Sequence, residues 1–336
     1  MASRNKSSGL SIGIDTGPTA DEGVSNQRIS DLPIAVIDFE TTGLTPGYDR
    51  AVELSIVRIE PDGSSKLALN SLINPKRPVS CTEIHGITDA DVANAPTFSQ
   101  LSGDVLAACQ GCIIAAYNVY FDIEFMRTEL GLADVFHDPP YLCLMYLQPM
   151  LGLGRRCKLS EACERFGIEY TPTHIAADDA LAASRLFGVY RQELNRQGVQ
   201  TFAELGELKD YKFTKSFALP PFRAPEHYGL KTASVAKPRR AQLAGLDSTQ
   251  QAMNAYWEVL KCAVMDLSIS DDEMDLIAGE RQRGGLKEEQ VRVLHARAFA
   301  SAISQFTKDQ WVDDREVRAL RRLHDCLGRL GWAPGS

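Results

Sequence analysis

Residues 34–40, Ile-Ala-Val-Ile-Asp-Phe-Glu, constrain this chain more than any other stretch, because an apolar run here ends in two carboxylates. Such a run reads as a buried strand. Residues two apart on a strand share a face, so Asp38 and Glu40 are expected to project together from the strand's end. Two acids closing a run of Ile and Val are costly to bury unless cations meet them. For the pair alone, a surface strand end with incidental acids remains an equal reading.

The pattern around this strand is layered. Residues 51–60 and 66–74 read as two further strands, separated by the turn Pro61-Asp62-Gly63. Residues 96–110 have helical periodicity with Pro96 at the start, and 112–118 read as a fourth strand. A helix is expected over 121–130, stopped by Gly131; 141–147 is apolar and fits strand or helix. Helices are expected over 159–166, closed by Gly167, and over 176–197, long and amphipathic. Three strands, then helix, strand and more helices, predict an α/β layered domain.

Two more acids stand at expected element ends. Asp122 follows the strand that closes in Tyr117-Asn118, and Asp179 opens the helix after His174-Ile-Ala-Ala-Asp178. Each alone reads as well or better as a helix N-cap. Together, four acids in order with a histidine five residues before the last point to phosphodiester hydrolysis. That reaction needs an activated water and a stabilised leaving oxygen, which two divalent ions about 3.5–4 Å apart supply. Mg²⁺ prefers carboxylate oxygens and retained waters. A histidine beside the ions can take the water's proton near neutral pH.

Asp38-Phe-Glu40-Thr-Thr-Gly-Leu44, Asn118-Val-Tyr-Phe121-Asp122 and His174-x-x-x-x-Asp179, in this order, resemble the three motifs of the DnaQ-like (DEDDh) 3′–5′ exonuclease family. Ile84-His85-Gly86-Ile87-Thr88 and Ala95-Pro96-Thr97-Phe98 are similar to that family's intervening text. The resemblance covers about residues 31–205. It implies a ribonuclease H-like mixed five-stranded sheet flanked by helices, with Asp38, Glu40, Asp122 and Asp179 holding two Mg²⁺ or Mn²⁺ ions. It implies His174 as general base, and Thr41, Thr42, Leu44, Asn118 and Phe121 against the terminal nucleotide. The implied substrate is a single-stranded nucleic-acid 3′ end, DNA before RNA, released as nucleoside 5′-monophosphates in repair, proofreading or turnover. An exoribonuclease of the RNase T or oligoribonuclease type, and a catalytically silent nucleic-acid-binding scaffold, are the alternatives. Tyr117, where the family often has His, and Leu142-Cys143, where Asp-Thr is common, depart from the pattern and bear on substrate fit. His85 reads as a structural loop residue ahead of the turn at Gly86.

Composition places the rest. The 336 residues allow a large and a smaller domain. With 44% hydrophobic residues, no apolar run of ~20 residues and no secretory segment, the chain is expected to be soluble and cytoplasmic, away from membranes. The cysteines read as reduced and buried; Cys109 and Cys112, though a Cys-x-x-Cys, have no second pair at zinc spacing. The net charge of −8 is uneven: residues 1–207 carry −11 and residues 208–246 carry +6. The expected organisation is a disordered leader (1–30), the exonuclease domain (31–205), a basic Pro-containing linker (206–247) and an all-α domain (248–336). The linker reads either as a phosphate-backbone strap or as an ordinary solvated spacer. The last segment repeats at an offset of 43: Asp266-Leu-Ser-Ile-Ser-Asp-Asp-Glu273 aligns with Asp309-Gln-Trp-Val-Asp-Asp-Arg-Glu316, and Ser270 and Asp313 read as helix caps. This segment resembles TerB-like helical domains, which implies a protein partner. Its acids read as caps before metal ligands, and Trp257 and Trp311 as core.

Overall fold

A computed structural model describes residues 23–133, 138–172, 174–224, 248–265, 271–306 and 314–335. Strand β1, Ile34–Thr41, is buried along almost its whole length. A strand apolar on both faces needs cover on both, which makes it a central strand. It pairs antiparallel with β2, Ala51–Ile59, which pairs antiparallel with β3, Ser65–Leu72. On its other side β1 pairs parallel with β4, Ile113–Ala116, and β4 with β5, Tyr141–Cys143. The result is a mixed five-stranded sheet of order β3-β2-β1-β4-β5, the ribonuclease H-like arrangement.

Two layers of helices cover it. Short α1 (Thr82–His85) and α2 (Asp89–Val92) lead into α3, Phe98–Cys109, opened by a capping box of Thr97 with Gln100. Phe39 stacks on Phe98 at 6.4 Å between ring centroids, so the odd-numbered face of β1 looks toward α3. Helix α4, Val119–Leu132, follows β4 and packs on the same layer as α3. The opposite face carries α5 (Leu144–Met150), α6 (Leu159–Arg165) and the 22-residue α7, Ala176–Gln197. Asp38 and Glu40 sit opposite Ser55 and Glu53 of β2, and Glu53 accepts a hydrogen bond from the Ala176 N–H at 3.2 Å. The acids therefore lie on the α7 face.

Several expectations shift. The helix expected to stop at Gly131 runs through it to Leu132, because a single helical glycine costs only about 1 kcal/mol and buried Phe125, Met126 and Leu130 hold the turn. Residues 141–147, left open between strand and helix, are strand to Cys143 and helix from Leu144. The leader expected over 1–30 fails for its last part: Val24 and Ile29 are buried, and the Val24 and Ser25 N–H groups bond Leu219 and Phe217 carbonyls. Residues 1–22 lie outside the described residues. The linker expected over 206–247 is also too long. Residues 202–208 form α8 (Phe202–Leu208), 212–218 a 3₁₀ helix (Lys212–Ala218), and Phe213, Phe217 and Phe222 are buried. Their aromatic area outweighs the Pro, Lys and Ser around them; residues 225–247 are not described.

The last described elements are helices: α9, Ser248–Met265; α10, Asp271–Gly284; α11, Glu288–Phe306; and α12, Asp314–Arg329. The first residues of α10 and α12 are 43 apart, the period of the repeat. Ser270, Asp313, Asp266, Asp309 and Trp311 fall outside the described residues, whereas Trp257 is buried. His295 bonds Tyr256 Oη at 2.6 Å and the Trp332 carbonyl at 2.6 Å, a satisfied core histidine. Helix α9 packs against α1 and α4, so the helical unit sits directly on the sheet unit. None of the described helices is long and apolar enough to cross a membrane.

Candidate active site

The four acids reach the site by three different elements, yet all arrive at one place. Asp38 and Glu40 leave the end of β1 on the α7 face, in line with the period of two. Parallel pairing of β1 with β4 stops at Val36. Beyond it, the Phe39 N–H donates to Asp122 Oδ1 at 3.1 Å, which pins the first turn of α4 to the strand. Asp179 is the fourth residue of α7, as Asp122 is of α4. A helix N-terminus offers each a favourable dipole. Arg50 fixes α4 further by gripping buried Glu129 through Nε (2.9 Å) and Nη2 (2.7 Å).

Asp38, Glu40, Asp122, His174 and Asp179 line one cavity of about 390 Å³. Ligand atoms of Glu40, His174 and Asp179 lie within 4.8 Å of one another, the one such group of three among the described residues. Cys109 and Cys112 are not part of any such group; both are buried, and Arg58 Nη1 lies 2.9 Å from the Cys112 sulfur. Asp178, beside Asp179, does not line the cavity.

Burial dominates the electrostatics. Asp122 and Asp179 are pushed up to about 7, first by desolvation, against the lowering pull of their hydrogen bonds and of Lys261. Asp38 and Glu40 are raised well above the usual carboxylate range by desolvation and by the neighbouring acids. Rich in carboxylate oxygens, the donor set fits a divalent cation. His174, in a left-handed backbone conformation (φ 49°), is lowered by burial, which outweighs the pull of Glu258 3.8 Å away. A neutral imidazole is what proton abstraction requires.

The expected nucleotide contacts divide. Asn118 and Phe121 line the cavity, and Thr41 lines a smaller pocket beside it. Thr42 and Leu44 are buried and line neither; the Thr42 hydroxyl donates to Asp49 Oδ1 (3.2 Å) and accepts from the Arg50 N–H (3.1 Å). His85 is buried, bonded to the Ile87 N–H and the Ser80 carbonyl, and is among the residues lining the smaller pocket.

Four residues escaped the reading of the sequence. Tyr170 donates to Asp179 Oδ1 at 2.7 Å, and Glu53 anchors the start of α7. Glu258 and Lys261, from α9, line the same cavity from the opposite side. Glu258 and Lys261 are three apart on a helix and paired at 2.6 Å, a spacing indistinguishable in sequence from a surface ion pair.

A profile of the exonuclease family matches residues 35–187. A DNA polymerase III subunit epsilon of Treponema pallidum is 32% identical over 162 residues, 46% of this chain and 75% of that protein. A DNA polymerase III subunit epsilon-like protein of Rhodobacter capsulatus is 30% identical over 205 residues, 58% of this chain and 29% of that one. A DNA polymerase III PolC-type of Thermotoga petrophila is 30% identical over 178 residues, 52% of this chain and 13% of it. The chain therefore spans less than a third of the length of the latter two. With the epsilon subunit covered over three quarters of its length, and the sheet topology matching, the chain belongs to the DnaQ-like exonuclease family.

Proposed function

We propose that this chain is a metal-dependent 3′–5′ exonuclease that releases nucleoside 5′-monophosphates from the 3′ ends of single-stranded DNA. One observation carries the reading: four carboxylates, drawn from β1, α4 and α7, and one neutral histidine share a single cavity. Asp38, Glu40, Asp122 and Asp179 would hold the two ions, which supply a nucleophilic water and neutralise the leaving oxygen. His174 accepts the proton of that water. Its Nδ1 faces Glu258, so we assign the transfer to Nε2. The bond broken joins phosphorus to the 3′ oxygen, so the phosphate leaves on the terminal nucleotide. Asn118 and Phe121 line the space for that nucleotide and Thr41 borders it, while Thr42 and Leu44 support the loop from within. Tyr170 orients Asp179 through its hydroxyl.

DNA is favoured over RNA because the relatives are named DNA polymerase III PolC-type, DNA polymerase III subunit epsilon and a protein like that subunit. The TerB-like identity of residues 248–336 and a protein partner for them are proposals too, supported by the four described helices and their repeat spacing. The test is a 5′-labelled single-stranded DNA, with a matched RNA, at millimolar Mg²⁺ or Mn²⁺. The reading expects a ladder shortening from the 3′ end, 5′-monophosphates as product, and arrest by EDTA. Full-length label under both ions overturns it.

A further inference from the structure

Besides Lys158 of the sheet unit, the catalytic cavity is lined by a cation from the helical unit. Lys261 of α9 lines both the cavity and the smaller pocket beside Glu40 and Thr41. Its ammonium sits 4.8 Å from the ring centroid of Phe121, the residue before Asp122. It holds Glu258 at 2.6 Å, and Glu258 reaches His174 at 3.8 Å. The helix is anchored in this position. Asn254 Nδ2 donates to the Ile84 carbonyl at 3.0 Å in a buried contact. Arg156 and Lys158 of the sheet unit bind buried Glu273 and Glu280 of α10 at 2.9 and 2.6 Å.

We infer that Lys261 is a tethered counter-ion of the catalytic carboxylates, placed so that seating of the C-terminal helices and loading of divalent ions oppose one another. The inference rests on the two-ion reading above. A buried cluster of acids demands positive charge. The ammonium answers part of that demand: it lines one cavity with all four acids and shares the smaller pocket with Glu40. An ammonium and a divalent ion drawn to the same oxygens repel each other. By linkage, whatever favours one at the site disfavours the other by the same factor. Metal loading then loosens α9, and fastening of α9 weakens metal binding.

The test is Mn²⁺ binding to the full chain, read by the loss of the free-ion electron paramagnetic resonance signal. Lys261→Met keeps the stem over Phe121 and removes the charge; it should bind Mn²⁺ about tenfold tighter or more. Lys261→Arg keeps the charge and should stay within about twofold of the parent. Glu273→Gln weakens the anchoring while leaving Lys261 and the Lys158–Glu280 pair in place, and should tighten binding in the same direction. This variant carries the comparison if Lys261→Met does not fold. Equal or weaker Mn²⁺ binding in the uncharged variant overturns the inference and leaves the two-ion reading standing. No Mn²⁺ binding in any of these proteins overturns both.

Discussion

The two regions that meet at the cavity contribute charge by different means. The sheet unit brings four acids from three distant stretches of chain, each placed by an element end. The helical unit brings one cation from the side of a continuous helix, balanced by a glutamate three residues earlier. The acids are costly where they stand: burial raises all four. The Glu258–Lys261 pair is close to neutral as a unit. Chemistry is therefore concentrated on the sheet side, and on the helical side what matters is access and charge balance.

Removing an acid should break this comparison most severely. Asp38→Ala should take cleavage of 5′-labelled DNA down to the level of a protein-free control, because Glu258, the acid the helical side brings to the cavity, is tied to Lys261. Next in size, His174→Ala should slow cleavage by about 10²–10⁴-fold while changing Mn²⁺ affinity little, as loss of a base rather than of a ligand requires. Equal loss of metal binding and rate in that variant would move His174 among the ligands.

A third expectation concerns stability without metal. The Asp122 and Asp179 carboxyls sit at about 7 in the folded chain against an ordinary 3.8. Between those values the folded state binds more protons than the unfolded one, so stability falls as pH rises from about 4 through about 7. In EDTA the melting temperature should drop across that window. Asp122→Asn should flatten the drop and raise the melting temperature at pH 7.5, whereas Mn²⁺ should stabilise the parent chain but not this variant. The smallest effect belongs to Tyr170→Phe, which removes one hydrogen bond to Asp179. It should lower kcat a few-fold at saturating metal and weaken Mn²⁺ binding slightly.

How much of this was legible in the sequence differs between the same two regions. Asp38 and Glu40 were readable because a strand's period of two assigns their faces without knowledge of any partner. Asp122 and Asp179 were readable only as members of an ordered set, since each alone is an ordinary helix-start acid. Tyr170 carries no local signal; its role depends on a loop folding back over α7. Lys261 was hidden for a different reason. An amphipathic pattern separates apolar from polar faces but does not say whether the polar face meets water or a cavity. The boundaries misjudged at 23–30 and 206–224 share one cause: composition averages a stretch, whereas Val24, Ile29, Phe213, Phe217 and Phe222 act singly as anchors among Ser, Pro and Lys.

The central claim is that the four acids trap a pair of divalent ions beside His174. Anomalous diffraction from crystals soaked in Mn²⁺ tests it most directly. The account predicts two peaks about 3.5–4 Å apart between Asp38, Glu40, Asp122 and Asp179. Manganese peaks elsewhere, with none among these carboxylates, would contradict it.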